Sequence, residues 1–333
     1  MKSNWWQQYT GDRRNGTLRE RGDSLRHWDE PPSLRDPSQF LASKELRAAV
    51  NVALVLQQPL LLTGAPGTGK TEAAGSVAWE LGLPLFPFRA KTTSTATDLF
   101  YRYDAMRHFH ASRFDPQARM DAQPFLEAEA LGKAILLTRP EQTDPSRVDP
   151  LLPKELRGQD PQQSVVLIDE IDKAPRDFPN DLLEELRLRK FRIAETGEEF
   201  EARKGWWPVV IITSNAETNL PDAFLRRCVF HFLEPPDAGT LLDIVESRLG
   251  IEPGYEAMLK HAVEWFVETR DRGGFQKPPG TSELLDWAQL LKDQQIDIRN
   301  LQPGQAEIVL LSAGLLAKTK EDLEKLLPRL PKG

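Results

Sequence analysis

The chain has 333 residues, of which 40% are hydrophobic, so it is long enough for one large or two smaller domains with a sizeable core. Its net charge of −7 argues against a nucleic-acid-binding protein, and its single cysteine excludes an internal disulfide and a cysteine-rich metal site. No apolar run is long enough to span a membrane and the chain starts with polar residues, so we expect a cytoplasmic protein.

Residues 1–40 are predicted to form an extended N-terminal arm, because tryptophans and prolines stand there in a polar background. Two interpretations remain open. The tryptophans could pin the arm to the folded body, or the arm could dock on a neighbouring subunit or partner.

Residues 41–235 alternate apolar runs with helical patterns, which predicts an α/β core whose parallel sheet is flanked by helices. Buried strands are predicted over residues 59–63, 163–168 and 208–213, with helices after Ser43 and over 177–189. A further strand is predicted over 84–88, where two prolines leave its limits open. Residues 89–163, with a predicted helix over 125–137, are interpreted as elements inserted on the core surface. A glycine turn at Gly197 predicts a hairpin within residues 190–203.

The strongest motif follows the first predicted strand and fits G-x-x-x-x-G-K-[ST], the phosphate-binding P-loop. It reads Gly64-Ala65-Pro66-Gly67-Thr68-Gly69-Lys70-Thr71, and a helix is predicted from Glu72 to residue 81. Glycines let backbone N–H groups surround phosphates, and the helix N-terminus adds the positive end of a dipole. Lys70 can reach the β- and γ-phosphates, and Thr71 can ligate Mg²⁺. We therefore expect residues 64–72 to bind a nucleotide.

The third predicted strand ends in Asp169-Glu170. Opposite a P-loop, Asp169 would hold Mg²⁺ together with Thr71, and Glu170 would polarise the attacking water. This interpretation is favoured over two solvated acids because the P-loop lies upstream. Asp172 and Lys173 are interpreted as a surface pair.

Three more polar residues are candidates for catalysis. Asn215 follows the fourth strand, where an amide could hold the attacking water, although asparagine is also common in turns. Arg226 and Arg227 could supply a positive charge to a γ-phosphate in trans, or be surface arginines at a helix end. The catalytic role is favoured for Asn215, whereas spacing alone leaves the alternatives for the two arginines open.

Beyond the boundary Glu234-Pro235-Pro236-Asp237, no strong strand pattern occurs. Residues 236–333 are predicted to form a small helical domain, with helices over 237–249, 256–270, 282–291 and 306–317.

Together, residues 64–71, 165–172, 211–215 and 220–228 resemble the motifs of AAA+ ATPases. The resemblance covers about residues 40–300 and is closest to the MoxR type, which is grouped with dynein-related AAA domains. The MoxR assignment rests on the insert after the second strand and on three stretches: Ile168-Asp169-Glu170-Ile171-Asp172-Lys173-Ala174-Pro175, Leu182-Leu183-Glu184 and Leu220-Pro221-Asp222-Ala223.

The resemblance implies an ATP- and Mg²⁺-dependent homo-hexameric ring that remodels a protein partner, such as a von Willebrand factor A domain protein. It implies that Asn215 is the sensor-1 residue, and that Arg227, or failing that Arg226, is a trans-acting arginine finger. The hairpin would face the central pore, and residues 236–333 would form a lid. A nucleotide-gated assembly or sensor protein remains an alternative. A nucleic-acid-directed NTPase is disfavoured by the acidic pI of about 5.5.

One departure from the family pattern concerns the third lid helix, where many relatives carry a sensor-2 arginine. Here Pro279-Gly280-Thr281-Ser282-Glu283-Leu284-Leu285-Asp286-Trp287 contains none. Either Lys277 or another group senses the nucleotide, or coupling to the lid is weak. Similarly, Phe200, Trp206 and Trp207 could grip a substrate, although packing around the hairpin is the favoured interpretation.

Overall fold

The computed structural model of the chain describes residues 36–114, 121–140, 143–215, 220–250 and 254–331. The elements below belong to one compact unit that begins at Pro37. Residues 1–35 of the predicted N-terminal arm, with its tryptophans, lie outside the described residues. The end of that segment contains a 3-10 turn, Pro37–Gln39.

A parallel sheet of five strands forms the centre of the unit. These strands are β1 (Leu60–Thr63), β2 (Leu85–Arg89), β5 (Val165–Asp169), β8 (Val209–Ser214) and β9 (Val229–Phe232). Their order in the sheet is β2-β5-β8-β1-β9, so β9 is an edge strand. The four predicted strands are confirmed. The fifth, β9, was not predicted, because a histidine interrupts its short apolar sequence.

Alternate residues of the central strands face two different helical layers. Leu60 and Leu62 pack on one side, together with buried residues of α1 (Lys44–Leu56) and α2 (Lys70–Leu81). Leu61 packs on the other side. Because both faces are covered, the central strands are continuous apolar runs, as expected for a parallel sheet.

The segment predicted as a single helix over residues 125–137 divides into a strand and a helix. Strand β4 (Leu126–Ala128) pairs antiparallel with β3 (Tyr101–Tyr103), and α4 (Ala130–Leu137) begins only after it. The prediction was wrong at its start because strand pairing with distant residues outweighs the local helical pattern. All residues of α4 except Lys133 are buried, so this part of the predicted surface insert belongs to the core.

The predicted hairpin is present as β6 (Lys190–Arg192) and β7 (Glu199–Glu201), and Gly197 in its turn has φ 74°. Phe200 is buried with its ring 5.5 Å from that of Phe191, and Trp207 is buried as well. These two aromatic residues therefore pack in the core, while Trp206 is half-buried. The other helices of the α/β core are α3 (Ala105–Phe114), α5 (Pro145–Val148), α6 (Phe178–Leu188) and α7 (Asp222–Leu225).

The described residues after β9 contain helices and no strand. These helices are α8 (Ala238–Leu249), α9 (Glu256–Arg272), α10 (Thr281–Gln294), α11 (Gln305–Leu311), α12 (Ala313–Leu316) and α13 (Lys320–Leu326). Asp237 caps α8 by accepting a hydrogen bond from the Thr240 N–H at 2.8 Å. The helix predicted over 306–317 is divided at Ser312, and α13 was not predicted. Within the described ranges, no helix is long and apolar enough to cross a membrane.

Candidate active site

The P-loop motif connects β1 to α2 at the carboxyl edge of the sheet, where parallel sheets place their binding loops. Gly64, Gly67 and Gly69 have φ values of 143°, 78° and 89°, which residues with a side chain rarely adopt. A Cβ atom at Gly64 would lie 2.4 Å from the carbonyl oxygen of Leu233, and one at Gly69 would lie 3.3 Å from the Phe40 ring. The shape of the loop therefore requires glycine at these positions.

Lys70 begins α2, and only 7% of this residue is exposed. Its Nζ donates hydrogen bonds to the carbonyl oxygens of Gly64 (2.8 Å) and Ala65 (2.9 Å) and forms no ion pair with a described residue. Burial lowers the pKa of Lys70, against the attraction of nearby carboxylates. A buried cation held only by neutral carbonyl groups is suited to bind an anion. Glu72, two residues on, is exposed in the first turn of α2.

Asp169 ends β5, and its Oδ1 accepts hydrogen bonds from the hydroxyls of Thr71 (3.0 Å) and Thr213 (2.6 Å). Side chains from α2, β5 and β8 therefore meet at the P-loop. The Thr213 oxygen also accepts a hydrogen bond from the Glu170 N–H at 2.9 Å. Thr213 was not predicted as a site residue, although it is a hydroxyl residue in an otherwise apolar buried strand.

Glu170 has φ 55° and ψ 50°, an unusual left-handed conformation for a residue with a long side chain. Its Oε1 lies 2.6 Å from the Lys173 Nζ, and its Oε2 accepts a hydrogen bond from the Arg89 Nε at 2.8 Å. The hydrogen bond from Lys173 lowers the pKa of Glu170 most, and the one from Arg89 adds to it against partial burial. Both carboxylate oxygens are therefore engaged. Arg89, which was not predicted, ends β2 opposite Asp169.

Asn215 directly follows β8, and its backbone N–H donates a hydrogen bond to Oδ1 of Asp172 at 3.0 Å. The Asp172 carboxylate thus ties the chain after β5 to the chain after β8. The expected surface pair between Asp172 and Lys173 is wrong, because Lys173 pairs with Glu170.

Arg226 and Arg227 follow α7 and are exposed. Within the described part of the chain, no hydrogen bond or ion pair joins either guanidinium group to another residue. The fold therefore gathers the P-loop, Asp169, Glu170 and Asn215 at one edge of the sheet but does not bring the two arginines into contact with them.

The start of α10 lies directly against the P-loop. The Thr281 N–H donates a hydrogen bond to the carbonyl oxygen of Gly67 at 3.2 Å, and Gly280 faces Gly67. Lys277, the suggested nucleotide sensor, is exposed, and its backbone N–H donates to Asp322.

A family model described as AAA domain, dynein-related subfamily, matches residues 59–228, about half of the chain. The chain belongs to this family. The match begins just before β1 and ends just before β9, so it includes the P-loop, the acidic strand end, Asn215 and both arginines. A search of curated proteins gave no match.

Membership identifies the protein as a nucleotide-hydrolysing AAA+ ATPase, a class that typically uses Mg²⁺ and is typically oligomeric. Its fold is a P-loop core with a parallel sheet flanked by helices, followed by the helical lid α8–α13.

Proposed function

We propose that this AAA+ protein is a MoxR-type, Mg²⁺-dependent ATPase that works as a hexameric ring and remodels or activates a protein partner. The observation that carries the hydrolytic part is the contact of Asp169 with Thr71 at the P-loop, at 3.0 Å. An acid at this place, followed directly by Glu170, supplies both a metal ligand and a group that acts on water.

The residues of the site fit a nucleotide with its magnesium ion. Lys70 Nζ is buried with carbonyl partners only, which suits a phosphate ligand. The Thr71 hydroxyl and the Asp169 carboxylate are neighbouring hard oxygen donors of the kind that Mg²⁺ prefers, with water and phosphate completing its shell. The described residues contain no cluster of three or more acidic, histidine or cysteine side chains that could hold a metal ion. When bound, the ion would neutralise charge on the β- and γ-phosphates.

Glu170 is proposed to polarise the attacking water, with Asn215 holding that water by its amide group. The lowered pKa of Glu170 keeps its carboxylate charged at neutral pH, so it can accept a hydrogen bond from water. Both of its oxygens are engaged, by Arg89 and Lys173. Each carboxylate oxygen retains a second lone pair for a water molecule, and opening either ion pair would make Glu170 a stronger base.

Arg227 is proposed to act on the nucleotide of a neighbouring subunit, with Arg226 as the alternative. Their exposure and their lack of partners among the described residues support a role outside the chain's own site. We expect Arg227→Ala to bind ATP normally and to hydrolyse it at least about a thousandfold more slowly. Arg226→Ala should hydrolyse ATP near the wild-type rate, and a loss of activity confined to Arg226→Ala would assign the role to Arg226 instead.

A subunit-mixing experiment tests the trans arrangement. Lys70→Ala and Arg227→Ala subunits should each be inactive alone. Mixed rings contain some sites with an intact Lys70 and a neighbouring Arg227, so activity should partly return. If mixing restores nothing while both variants still assemble, the trans role of Arg227 is wrong.

The remodelling activity requires a protein partner, and a protein with a von Willebrand factor A domain is one candidate by resemblance. Glu170→Gln should retain ATP and hold the partner, so affinity capture with ATP, compared with capture without it, should enrich one protein. Nucleotide-gated assembly is the second candidate function, and it applies if the lack of an arginine at residues 279–287 weakens the coupling between the nucleotide and the lid. Under that alternative, ATP binding alone is sufficient. Glu170→Gln with ATP would then act on the captured partner as fully as the wild-type protein does, although it does not hydrolyse ATP.

A further inference from the structure

Among the described residues, the hydrogen bond that joins the lid to the P-loop connects backbone atoms and involves no charged side chain. The Thr281 N–H donates a hydrogen bond to the Gly67 carbonyl oxygen at 3.2 Å. We infer that this contact, made by Gly280 and Thr281 on Gly67, is how the lid senses the nucleotide phosphates. The inference rests on the proposed nucleotide site and names the residues that position the lid on it.

Gly280 is favoured by the closeness of the two backbones and not by its own backbone conformation. Its φ of −99° and ψ of −171° are extended values that any residue can adopt. A Cβ atom there would nevertheless lie 3.0 Å from the Gly67 Cα and 3.2 Å from the Pro66 carbonyl oxygen. In the opposite direction, a Cβ atom at Gly67 would lie 3.1 Å from the Gly280 Cα. Two glycines thus let the two backbones meet without a side chain between them.

The P-loop side of the contact is sensitive to phosphate. Lys70 Nζ donates to the carbonyl oxygens of Gly64 and Ala65 in the same loop that presents the Gly67 carbonyl. A bound phosphate competes for this ammonium group through stronger, charge-assisted hydrogen bonds. The loop carbonyls then lose their partner, and the change reaches the carbonyl that holds the lid. Coupling of this kind is reciprocal, so the position of the lid also changes phosphate affinity.

The lid side of the contact is tied firmly to the rest of the lid. Glu283 in α10 accepts a hydrogen bond from the Gly280 N–H at 3.0 Å. In the preceding segment, the buried Asp322 of α13 accepts hydrogen bonds from the N–H groups of Gln276 (2.8 Å) and Lys277 (3.0 Å). A displacement at Gly280 is therefore passed to α10 and α13 together.

Thr281→Pro removes this contact selectively. Thr281 is the first residue of α10, where a helix tolerates proline best, and Gly280 already has the extended backbone required before proline. The substitution removes the N–H group and directs a ring carbon at the Gly67 carbonyl. Thr281→Ala keeps the N–H group and is the matched control.

Gly280→Ala tests the closeness of the two backbones by a second route. Its control is Gly314→Ala in α12, where an added Cβ atom meets nothing within 4 Å. If Thr281→Pro lowers the thermal stability of the nucleotide-free protein, the comparison of Gly280→Ala with Gly314→Ala decides whether the backbone contact carries the lid response.

Each variant would be titrated with the non-hydrolysable analogue AMP-PNP and Mg²⁺, measuring affinity by calorimetry and amide hydrogen exchange by mass spectrometry. In wild type and both controls, the nucleotide should change exchange at the P-loop and over residues 274–294. In Thr281→Pro and Gly280→Ala, the P-loop response should remain and the lid response should disappear. Affinity should change about two- to tenfold, the effect of one hydrogen bond.

A lid response in Thr281→Pro and Gly280→Ala equal to that of wild type would overturn the inference. Failure of wild type itself to bind the nucleotide would instead overturn the proposed function.

Discussion

Replacing Thr213 by valine tests how the two acidic residues of the site are positioned. Thr213 is 1% exposed, and its hydroxyl donates to Asp169 at 2.6 Å and accepts from the Glu170 N–H at 2.9 Å. Valine has the same β-branched shape, so Thr213→Val removes the hydroxyl and leaves the packing in place. The Glu170 N–H group loses its partner, and Asp169 loses its shortest hydrogen bond.

The expected cost follows from these two hydrogen bonds. A hydrogen bond to a charged group contributes about 1.5–3 kcal/mol to the free energy of unfolding, and a hydrogen bond between neutral groups contributes about 0.5–1.5 kcal/mol. Because Asp169 keeps its hydrogen bond from Thr71, we expect the free energy of unfolding to fall by about 2–3 kcal/mol. If about half of this loss also appears in the activation barrier, hydrolysis slows about tenfold, since 1.4 kcal/mol corresponds to a factor of ten.

The assay combines urea denaturation, equilibrium ATP binding and single-turnover hydrolysis with Mg²⁺. Thr213→Val should bind ATP as wild type does, because no hydrogen bond of Thr213 to the P-loop glycines or Lys70 is present in the described structure. Thr213→Ser keeps the hydroxyl and should hydrolyse ATP near the wild-type rate, at a stability cost of about 1 kcal/mol. Equal stability and equal hydrolysis in the valine and serine variants would refute the positioning role.

Three further outcomes are expected. Gly64→Ala should abolish nucleotide binding and lower the melting temperature, because the added Cβ atom would lie 2.4 Å from a backbone oxygen, whereas Gly314→Ala should do neither. Lys173→Ala should raise the lowered pKa of Glu170 towards its ordinary value of 4.5. The active carboxylate form is lost as pH falls through this pKa, so the acid limb of the kcat profile should move to higher pH, and an unmoved limb would contradict the assignment. Arg89→Ala should raise basal ATP hydrolysis a few-fold by freeing one oxygen of Glu170, and a fall in turnover would show that the ion pair does not restrain it.

The features that could be predicted from the sequence are local ones. The P-loop is contiguous, and its glycines are required by positive φ values that belong to single residues. Buried strands such as Val165–Asp169 are continuous apolar runs because helices cover both faces of the sheet. By contrast, a histidine interrupts the short apolar sequence of β9, and β4 exists only through pairing with β3, so neither has a clear pattern of its own.

The sequence by itself determined the nucleotide-binding class of this protein, because phosphate binding depends on a short run of backbone conformations and the lysine within it. Tertiary structure decided which distant groups complete the site. Thr213 contacts Asp169 although 44 positions separate them in the sequence, and Arg89 contacts Glu170 at a separation of 81 positions. Gly280 approaches Gly67 from the lid. Such contacts depend on the order of strands and on how the lid packs, and neither is encoded in the periodicity of any single segment.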